Sequence, residues 1–157
     1  DIKITKINIS ESCRENVLGF YEILIQKEFE VDILIPEQDL FVYGDRESID
    51  RILYNLVSNV IRYGSDGKYI GFFIREDSGY IYIDITDKGA GIDKEFAESV
   101  FERLYTMEDS RNRRIQGNGL GLTIARNLAK QMGGDILLES TPRIKTIFSV
   151  KLKKFIY

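Results

Sequence analysis

Histidine is missing from this sequence, and several other residue types are scarce. The 157 residues contain no histidine, no tryptophan, two prolines and one cysteine, Cys13. Without histidine, the chain lacks the commonest general base, the commonest zinc ligand and the usual activating partner of a serine or cysteine nucleophile. A lone cysteine excludes an internal disulfide and a cysteine-rich metal cluster. Any chemistry must therefore use carboxylates, amides, backbone N–H groups and a hard metal ion.

Long apolar segments and an excess of positive charge are missing as well. No apolar run approaches the roughly 20 residues that cross a bilayer, and no basic stretch leads into an apolar one at the N-terminus. Lys plus Arg total 22 against 25 Asp plus Glu, and the net charge of -3 has the wrong sign for a dedicated nucleic-acid binder. We therefore expect a cytoplasmic domain with no nucleic-acid partner and no direct membrane contact. Because Asp1 stands in place of an initial Met, we also expect a piece of a longer chain.

Hydrophobic periodicity predicts three main helices and five strands. The helices are expected at about 10–27, with Ser10 as the N-cap, at 46–63 and at 120–132. The strands are expected at 29–35, 69–75, 80–86, 135–139 and 145–153, and a short helical piece is expected around 95–104. The first helix has one apolar stripe, formed by Val17, Leu18, Tyr21, Leu24 and Ile25. Because hairpins outnumber strand-helix crossovers, we predict a single α+β domain, a two-layer α/β sandwich.

The second predicted helix has two different faces. Its apolar residues recur at helical spacing and predict a buried face. Asn55, Asn59, Arg62 and Tyr63 lie at i, i+4, i+7 and i+8, which puts them together on another face. Asparagine is a poor residue for a helix interior, so two of them one turn apart indicate either a functional site or a solvated polar face. For the helix alone, the solvated face is the better interpretation.

A strand end provides a second candidate. Asp87 directly follows the predicted strand, and Gly89 and Gly91 follow at alternate positions. Such glycines let the backbone approach a flat ligand, and the carboxylate can accept a hydrogen bond from an exocyclic amine. An acceptor there favours adenine over guanine, which has a carbonyl at that position. Taken alone, the same residues fit an ordinary turn after a strand.

A glycine-rich segment, GNGLGL at 117–122, opens the third helix. Its backbone N–H groups, at the positive end of a helix, can hold phosphate. Leu122 stands where the dinucleotide fingerprint has its third glycine, and the Lys-Ser/Thr pair of a Walker A loop is absent. Arg111, Arg113 and Arg114 precede the segment and either close over phosphates or lie in a solvated loop.

In this order and spacing, the segments resemble the catalytic, ATP-binding domain of sensor histidine kinases. That family shares a superfamily with gyrases, mismatch-repair ATPases and heat-shock chaperone ATPases. NLVSNVIRYG resembles its N box, DKGAGI the first glycine box, VFERLY the F box and GNGLGL the second glycine box. The resemblance extends from about Ile9 to Leu152. It implies a Bergerat-type ATP-binding fold, in which a mixed, mostly antiparallel sheet carries three main helices on one face.

The resemblance also implies a role for each matching residue. Asn59 would coordinate Mg2+ at the phosphates of ATP, Asn55 would lie near it, and Arg62 would touch phosphate. Tyr63 would lie against adenine and ribose, and Asp87 would accept from the adenine amine. The other implied ATP-binding residues are Gly89, Gly91 and Ile92 at the adenine end, Tyr105 in a lid at about 102–118, Gly117, Asn118, Gly119, Leu120 and Gly121 on the phosphate side, and the inward-facing Thr146.

The sequence departs from the family pattern at two places. Arg143 and Lys145 precede Thr146 where the family usually has glycines, so we expect a differently shaped hairpin. Thr106 stands where many relatives have an arginine, so Arg103 or Arg111 would have to supply that phosphate contact.

The N box favours phosphoryl transfer over hydrolysis. Hydrolysing members of the superfamily have a glutamate base four residues before the metal-binding asparagine, and this chain has Asn55 there. An amide cannot take a proton near neutral pH, whereas transfer depends on positioning and charge neutralisation. Since the chain has no histidine, we expect a monomeric kinase fragment that phosphorylates a histidine on the dimerisation domain of the same parent, and a response regulator only indirectly. The alternative is an ATP-binding pseudo-kinase or regulatory module without transfer.

Overall fold

A computed structural model describes residues 2–97, 99–102 and 121–156. In this part of the chain the helices are α1 (Ile9–Gln26), α2 (Arg46–Tyr63) and α3 (Gly121–Gln131). The strands are β1 (Thr5–Asn8), β2 (Glu30–Leu34), β3 (Phe41–Gly44), β4 (Tyr69–Glu76), β5 (Tyr80–Asp87), β6 (Asp135–Thr141) and β7 (Lys145–Lys153). Single 3-10 turns lie at Ser65–Gly67, Lys94–Phe96 and Ser99–Phe101.

Five of the strands form one mixed sheet. Their order is β2-β4-β5-β7-β6, with β2 parallel to β4 and every other neighbouring pair antiparallel. β1 and β3 form a separate antiparallel pair. The architecture is therefore α+β with a mixed, mostly antiparallel sheet, which confirms the predicted fold class.

The core lies between the sheet and the helices. The apolar residues at alternate positions of the three central strands are buried on one face of the sheet: Ile70, Phe72 and Ile74 of β4, Ile81, Ile83 and Ile85 of β5, and Phe148, Val150 and Leu152 of β7. They pack into one apolar cluster with the buried faces of all three helices. The largest fully buried side chains of that cluster include Phe148, Leu24, Ile52, Leu56, Ile83 and Ile85.

The start of α1 differs from the prediction. Asn8, in extended conformation, is the N-cap, and its side chain accepts a hydrogen bond from the Glu11 N–H at 3.0 Å. Ser10 already lies inside the first turn, where its buried hydroxyl donates to the Gln38 carbonyl at 3.0 Å and accepts from the Leu40 N–H at 3.1 Å. Ser10 was therefore the wrong N-cap, because its hydroxyl ties the helix to the segment before β3.

The predicted stripe on α1 is also wrong in part. Val17 and Leu24 are buried, but Leu18, Tyr21 and Ile25 are exposed, with Leu18 73% exposed. Positions 17 and 24 lie one heptad apart on the core side, and positions 18, 21 and 25 continue a neighbouring stripe that faces away from it. The prediction had assigned residues from two adjacent faces of the helix to a single buried stripe.

α2 has the bounds that the sequence predicted. Asp45 caps it by accepting from the Ser48 N–H at 3.0 Å and from the Ser48 hydroxyl at 2.7 Å. That hydroxyl hydrogen bond lowers the pKa of Asp45. At the other end Gly64 is the C-cap, and its N–H donates to the Val60 carbonyl. This helix therefore holds the Asn55 and Asn59 face in a fixed position.

Three local features were not predicted correctly. β1 and β3 were missed because each has only four residues. The helical piece expected at 95–104 consists, where the structure describes it, of 3-10 turns. Its first turn, Lys94–Phe96, is exposed, so it lacks the buried stripe that holds a longer helix.

None of the helices in the described ranges combines the length and apolarity that a bilayer span requires.

Candidate functional site

α2 connects the end of β5 with the start of α3: its C-cap contacts β5, and its middle contacts α3. A Cβ built on Gly64 would lie 2.7 Å from the Asp87 carboxyl carbon, so the α2 cap touches the end of β5. The Asn55 amide donates to the Gly121 carbonyl at 3.1 Å, which joins the middle of α2 to the first residue of α3. Thr146 of β7 is the register partner of Asp87. Residues from four segments that are far apart in the sequence are thus brought together.

Asp87 is the main charged group among these residues. It is 4% exposed, and one of its carboxylate oxygens accepts the Gly89 N–H at 2.9 Å. Burial raises its pKa from 3.8 to about 6, and the Gly89 hydrogen bond opposes that rise only in part. Among the described residues, no cationic side chain forms an ion pair with Asp87 and no donor pairs with its second oxygen. A buried carboxylate with a spare acceptor can receive a donor from a ligand.

The two glycines after Asp87 have packing roles that the sequence did not indicate. A Cβ on Gly89 would lie 2.7 Å from the Gly64 Cα, so the two backbones are in direct contact. Gly91 has a φ of +85°, and a Cβ there would lie 2.8 Å from the Pro142 Cα. The loop after β5 is therefore held between the α2 cap and the β6–β7 turn. Gly64 is a site residue that the sequence identified only as a helix stop.

The β6–β7 turn closes the other side of the loop. Arg143 has a φ of 64°, the left-handed conformation that ordinarily favours glycine, and its N–H donates to the Ala90 carbonyl at 3.0 Å. The Ile144 N–H closes the turn on the Thr141 carbonyl at 2.9 Å. A four-residue turn with Pro142 second and a left-handed third residue is a standard reversal. Arg143 thus takes the backbone conformation for which a glycine would be expected.

The polar face of α2 is directed toward the same region. Asn55 and Asn59, one turn apart, are both half-buried, and Asn55 is oriented by its bond to Gly121. Arg62 is exposed and Tyr63 is half-buried in the last turn of the helix. No group of three or more acidic or cysteine side chains in the described ranges forms a metal site. Among the described residues of this face, Asn55 and Asn59 offer amide oxygens, which a divalent ion such as Mg2+ accepts as ligands.

Part of the predicted site cannot be located. Tyr105, Gly117, Asn118, Gly119 and Leu120 lie outside the described residues, as do Arg103, Thr106 and the arginines at 111, 113 and 114. Ile92 and Thr146 are described and are 4% and 2% exposed. Ser140, which the sequence did not indicate, bonds to both of them. The only sequence signal for Ser140 is its position: it alternates with Ile136 and Leu138 along β6, so its side chain lies on the same inward face of the strand.

The fold and the site around Asp87 agree with the class of protein that a family comparison identifies. Residues 44–156 match the histidine kinase-, DNA gyrase B- and HSP90-like ATPase family. This match covers well over half of the chain, and the chain belongs to that family.

Within this family, the individual proteins that resemble the chain include sensor histidine kinases. Sensor histidine kinase YcbM of Bacillus subtilis (strain 168) is 43% identical over 157 residues, which are 100% of this chain and 50% of YcbM. Sensor histidine kinase WalK of the same organism is 34% identical over 126 residues, which are 79% of this chain and 21% of WalK. The nucleotide-free catalytic domain of the histidine kinase ThkA superposes with a TM-score of 0.82 at 26% identity, covering 97% of this chain and 96% of that domain. The chain therefore spans about half or less of these curated relatives and nearly all of a solved catalytic domain.

Proposed function

We propose that this chain binds Mg-ATP and donates the γ-phosphoryl group to a histidine on a separate dimerisation domain of a two-component sensor kinase. The observation that carries the proposal is the Asp87 carboxylate, which is buried, has no cationic partner among the described residues and lies against Gly64, the C-cap of α2. In a family of ATPases, such an acceptor is suited to the amine of adenine.

Recognition of the base follows from the chemistry of Asp87. The carboxylate oxygen that does not bond to Gly89 would accept from the exocyclic amine of adenine. Guanine has a carbonyl at that position, and two acceptors facing each other repel. Because Asp87 is desolvated, a hydrogen bond to it gains more than the same bond would gain in water. Adenine is therefore favoured over guanine.

The phosphates would lie toward α3. Backbone N–H groups and the helix dipole at the start of α3 favour anions there. The Asn55 amide, by donating to the Gly121 carbonyl, fixes that start against α2. Asn59 offers an uncharged amide oxygen one turn away, and Mg2+ typically takes one or two protein oxygens together with phosphate oxygens. When bound, Mg2+ would neutralise charge on the transferring phosphate.

Asn55 and the lack of histidine support transfer of the phosphoryl group to another domain over hydrolysis. The Asn55 amide acts as a donor toward Gly121 and cannot act as a base toward water. The sequence has no histidine, so a histidine acceptor must come from another domain. Positioning and charge neutralisation are enough for transfer to a nucleophile presented at the right place. The further partners of this proposal are the dimerisation domain of the parent and, through it, a response regulator.

Labelled ATP tests the proposal. The chain is incubated with [γ-32P]ATP and Mg2+, with and without a histidine-bearing dimerisation domain from a similar sensor kinase. We expect acid-labile label on the added domain, and a loss of at least about 100-fold in Asn59→Ala, since a lost transition-state contact of about 3 kcal/mol has that effect. Asn127→Ala is the matched control, because Asn127 is exposed on α3, six residues after Gly121.

The outcomes separate the candidate functions. Acid-labile label on this chain alone, or transfer that Asn59→Ala leaves intact, would contradict the proposal. Mg-dependent binding of ATP without any transfer would instead support the alternative, a pseudo-kinase or regulatory module. The sequence departures from the family pattern, at Thr106 in the predicted lid and at Arg143 and Lys145 before Thr146, are the observations behind this alternative.

A further inference from the structure

A side-chain hydroxyl joins the β6–β7 hairpin to the loop after β5. The Ile92 N–H donates to the Ser140 Oγ at 3.0 Å, across 48 positions of sequence. The Ser140 and Thr146 hydroxyl oxygens are 2.8 Å apart, so one donates to the other. Thr146 is the register partner of Ser140 in β6 and of Asp87 in β5. Ser140 therefore lies between the end of the loop and the strand beside Asp87.

The loop is consequently fixed at both of its ends. At its start the Gly89 N–H bonds to the Asp87 carboxylate at 2.9 Å, and at its end the Ile92 N–H bonds to Ser140. Ile92 is 4% exposed, so its N–H would lack a solvent partner if the serine hydroxyl were removed. A buried N–H left unpaired has lost its hydration without gaining a hydrogen bond, which is unfavourable. The loop would then shift to reach water, and the Gly89 N–H that orients the Asp87 carboxylate would shift with it.

We infer that Ser140 is a positioning residue that holds the loop at 88–92 in the register that Asp87 needs to recognise adenine. The inference rests on the proposed function, because it requires a base to bind at Asp87. Ser140 itself does not touch the base: it acts through Ile92 and the loop. It determines specificity, since only the contact between Asp87 and the exocyclic amine depends on the register of the loop.

A serine on the other face of the same sheet provides a matched control. Ser149 of β7 is 6% exposed, and its hydroxyl donates to Asp84 at 2.6 Å. Asp84 lies on the opposite face of β5 from Asp87, because it is three positions earlier in the strand and side chains alternate between the two faces. Ser149→Ala thus removes a hydrogen-bonded hydroxyl from the same sheet without touching the loop. A general loss of stability would be common to both variants, whereas a change in loop register would be confined to Ser140→Ala.

Two readouts on the whole chain test the inference. The first is amide hydrogen exchange at Ile92 without nucleotide, where Ser140→Ala should speed exchange by at least about 10-fold, since a lost hydrogen bond of about 1–2 kcal/mol has that effect. The second is competition between ADP and inosine diphosphate, in which a carbonyl replaces the amine. Ser140→Ala should lower the preference for ADP by about 10-fold. Ser140→Thr should keep both properties of the wild type, and so should Ser149→Ala, even if its thermal stability falls.

The possible failures can be told apart. If Ser140→Ala keeps both the Ile92 protection and the preference for ADP, the inference is overturned while the proposed function stands. If Ser149→Ala changes the preference as much as Ser140→Ala, the effect is one of general stability and the inference is also overturned. If the wild-type chain shows no preference for ADP over inosine diphosphate, the proposed function fails and the inference fails with it.

Discussion

Two carboxylates of β5, three residues apart, have opposite surroundings. Asp84 accepts from the Arg75 guanidinium at 2.7 Å and from the Ser149 hydroxyl at 2.6 Å. Asp87 accepts one backbone N–H from the described residues, and it is the more deeply buried of the two. Asp84 therefore has its partners within the protein, whereas Asp87 has an acceptor oxygen that a ligand can use. The difference shows how a functional carboxylate can be told from a structural one on the same strand.

The burial of Asp87 lowers the stability of the unliganded protein. A carboxyl whose pKa rises from 3.8 in the unfolded chain to about 6 in the folded one disfavours folding wherever the unfolded form is ionised. The effect is absent below pH 3.8, grows between pH 4 and 6, and reaches about 3 kcal/mol above pH 6. A protein that tolerates such a cost at one residue commonly gains from it in function. Asp84, paired with Arg75, offers no comparable spare acceptor to a ligand.

The largest expected effect is on nucleotide affinity, which should fall when Asp87 is replaced and stay nearly unchanged when Asp84 is replaced. Asp87→Asn should weaken ADP binding by about 10- to 100-fold, because a hydrogen bond to a charged acceptor contributes about 1.5–3 kcal/mol. Asp84→Asn should change the affinity less than about 2-fold, since its partners lie on the other face of the sheet. Calorimetric titration of each variant measures both values. Equal losses of ADP affinity in Asp87→Asn and Asp84→Asn would contradict the view that Asp87 binds the ligand and Asp84 is structural.

A smaller effect concerns stability and pH. Because the asparagine cannot ionise, Asp87→Asn should be more stable than the unliganded wild type, and its advantage should grow by about 2 kcal/mol from pH 4 to pH 7. The sign follows from the raised pKa of Asp87, which makes the wild type lose stability as pH rises through about 6. Urea unfolding of both proteins at several pH values gives this difference, and titrations common to both proteins cancel. An advantage that shrinks with rising pH would mean that Asp87 is stabilised as a carboxylate in the free protein.

Much of the fold follows from local sequence patterns. The ends of α2 follow from the cap at Asp45 and the stop at Gly64, and β4 and β5 follow from their alternating apolar residues. The short strands β1 and β3 do not, because four residues give too little alternation to recognise. The start of α1 was misplaced because both Asn8 and Ser10 are good N-caps, and only the tertiary contact of Ser10 decides between them.

The site was predictable to the extent that its residues have local signals. Asp87 was identifiable because it ends a strand and precedes two glycines. The sequence could not show that no described cationic side chain pairs with Asp87, because such pairing depends on residues from other helices and strands. Ser140 was missed for the same reason, because its donor Ile92 is 48 residues away in the sequence. The contact of Gly89 with Gly64 likewise arises only when α2 and β5 are packed together.

The pKa of Asp87, measured with and without nucleotide, tests the central claim most directly. The carboxyl 13C chemical shift of labelled Asp87 is followed against pH in the free chain and under saturating ADP with Mg2+. The account predicts a pKa of about 6 in the free protein. With ADP bound the pKa should fall below about 5, because a donated N–H stabilises the charged carboxylate. A pKa that stays near 6 under saturating ADP would show that adenine does not bind to Asp87 and would contradict the account.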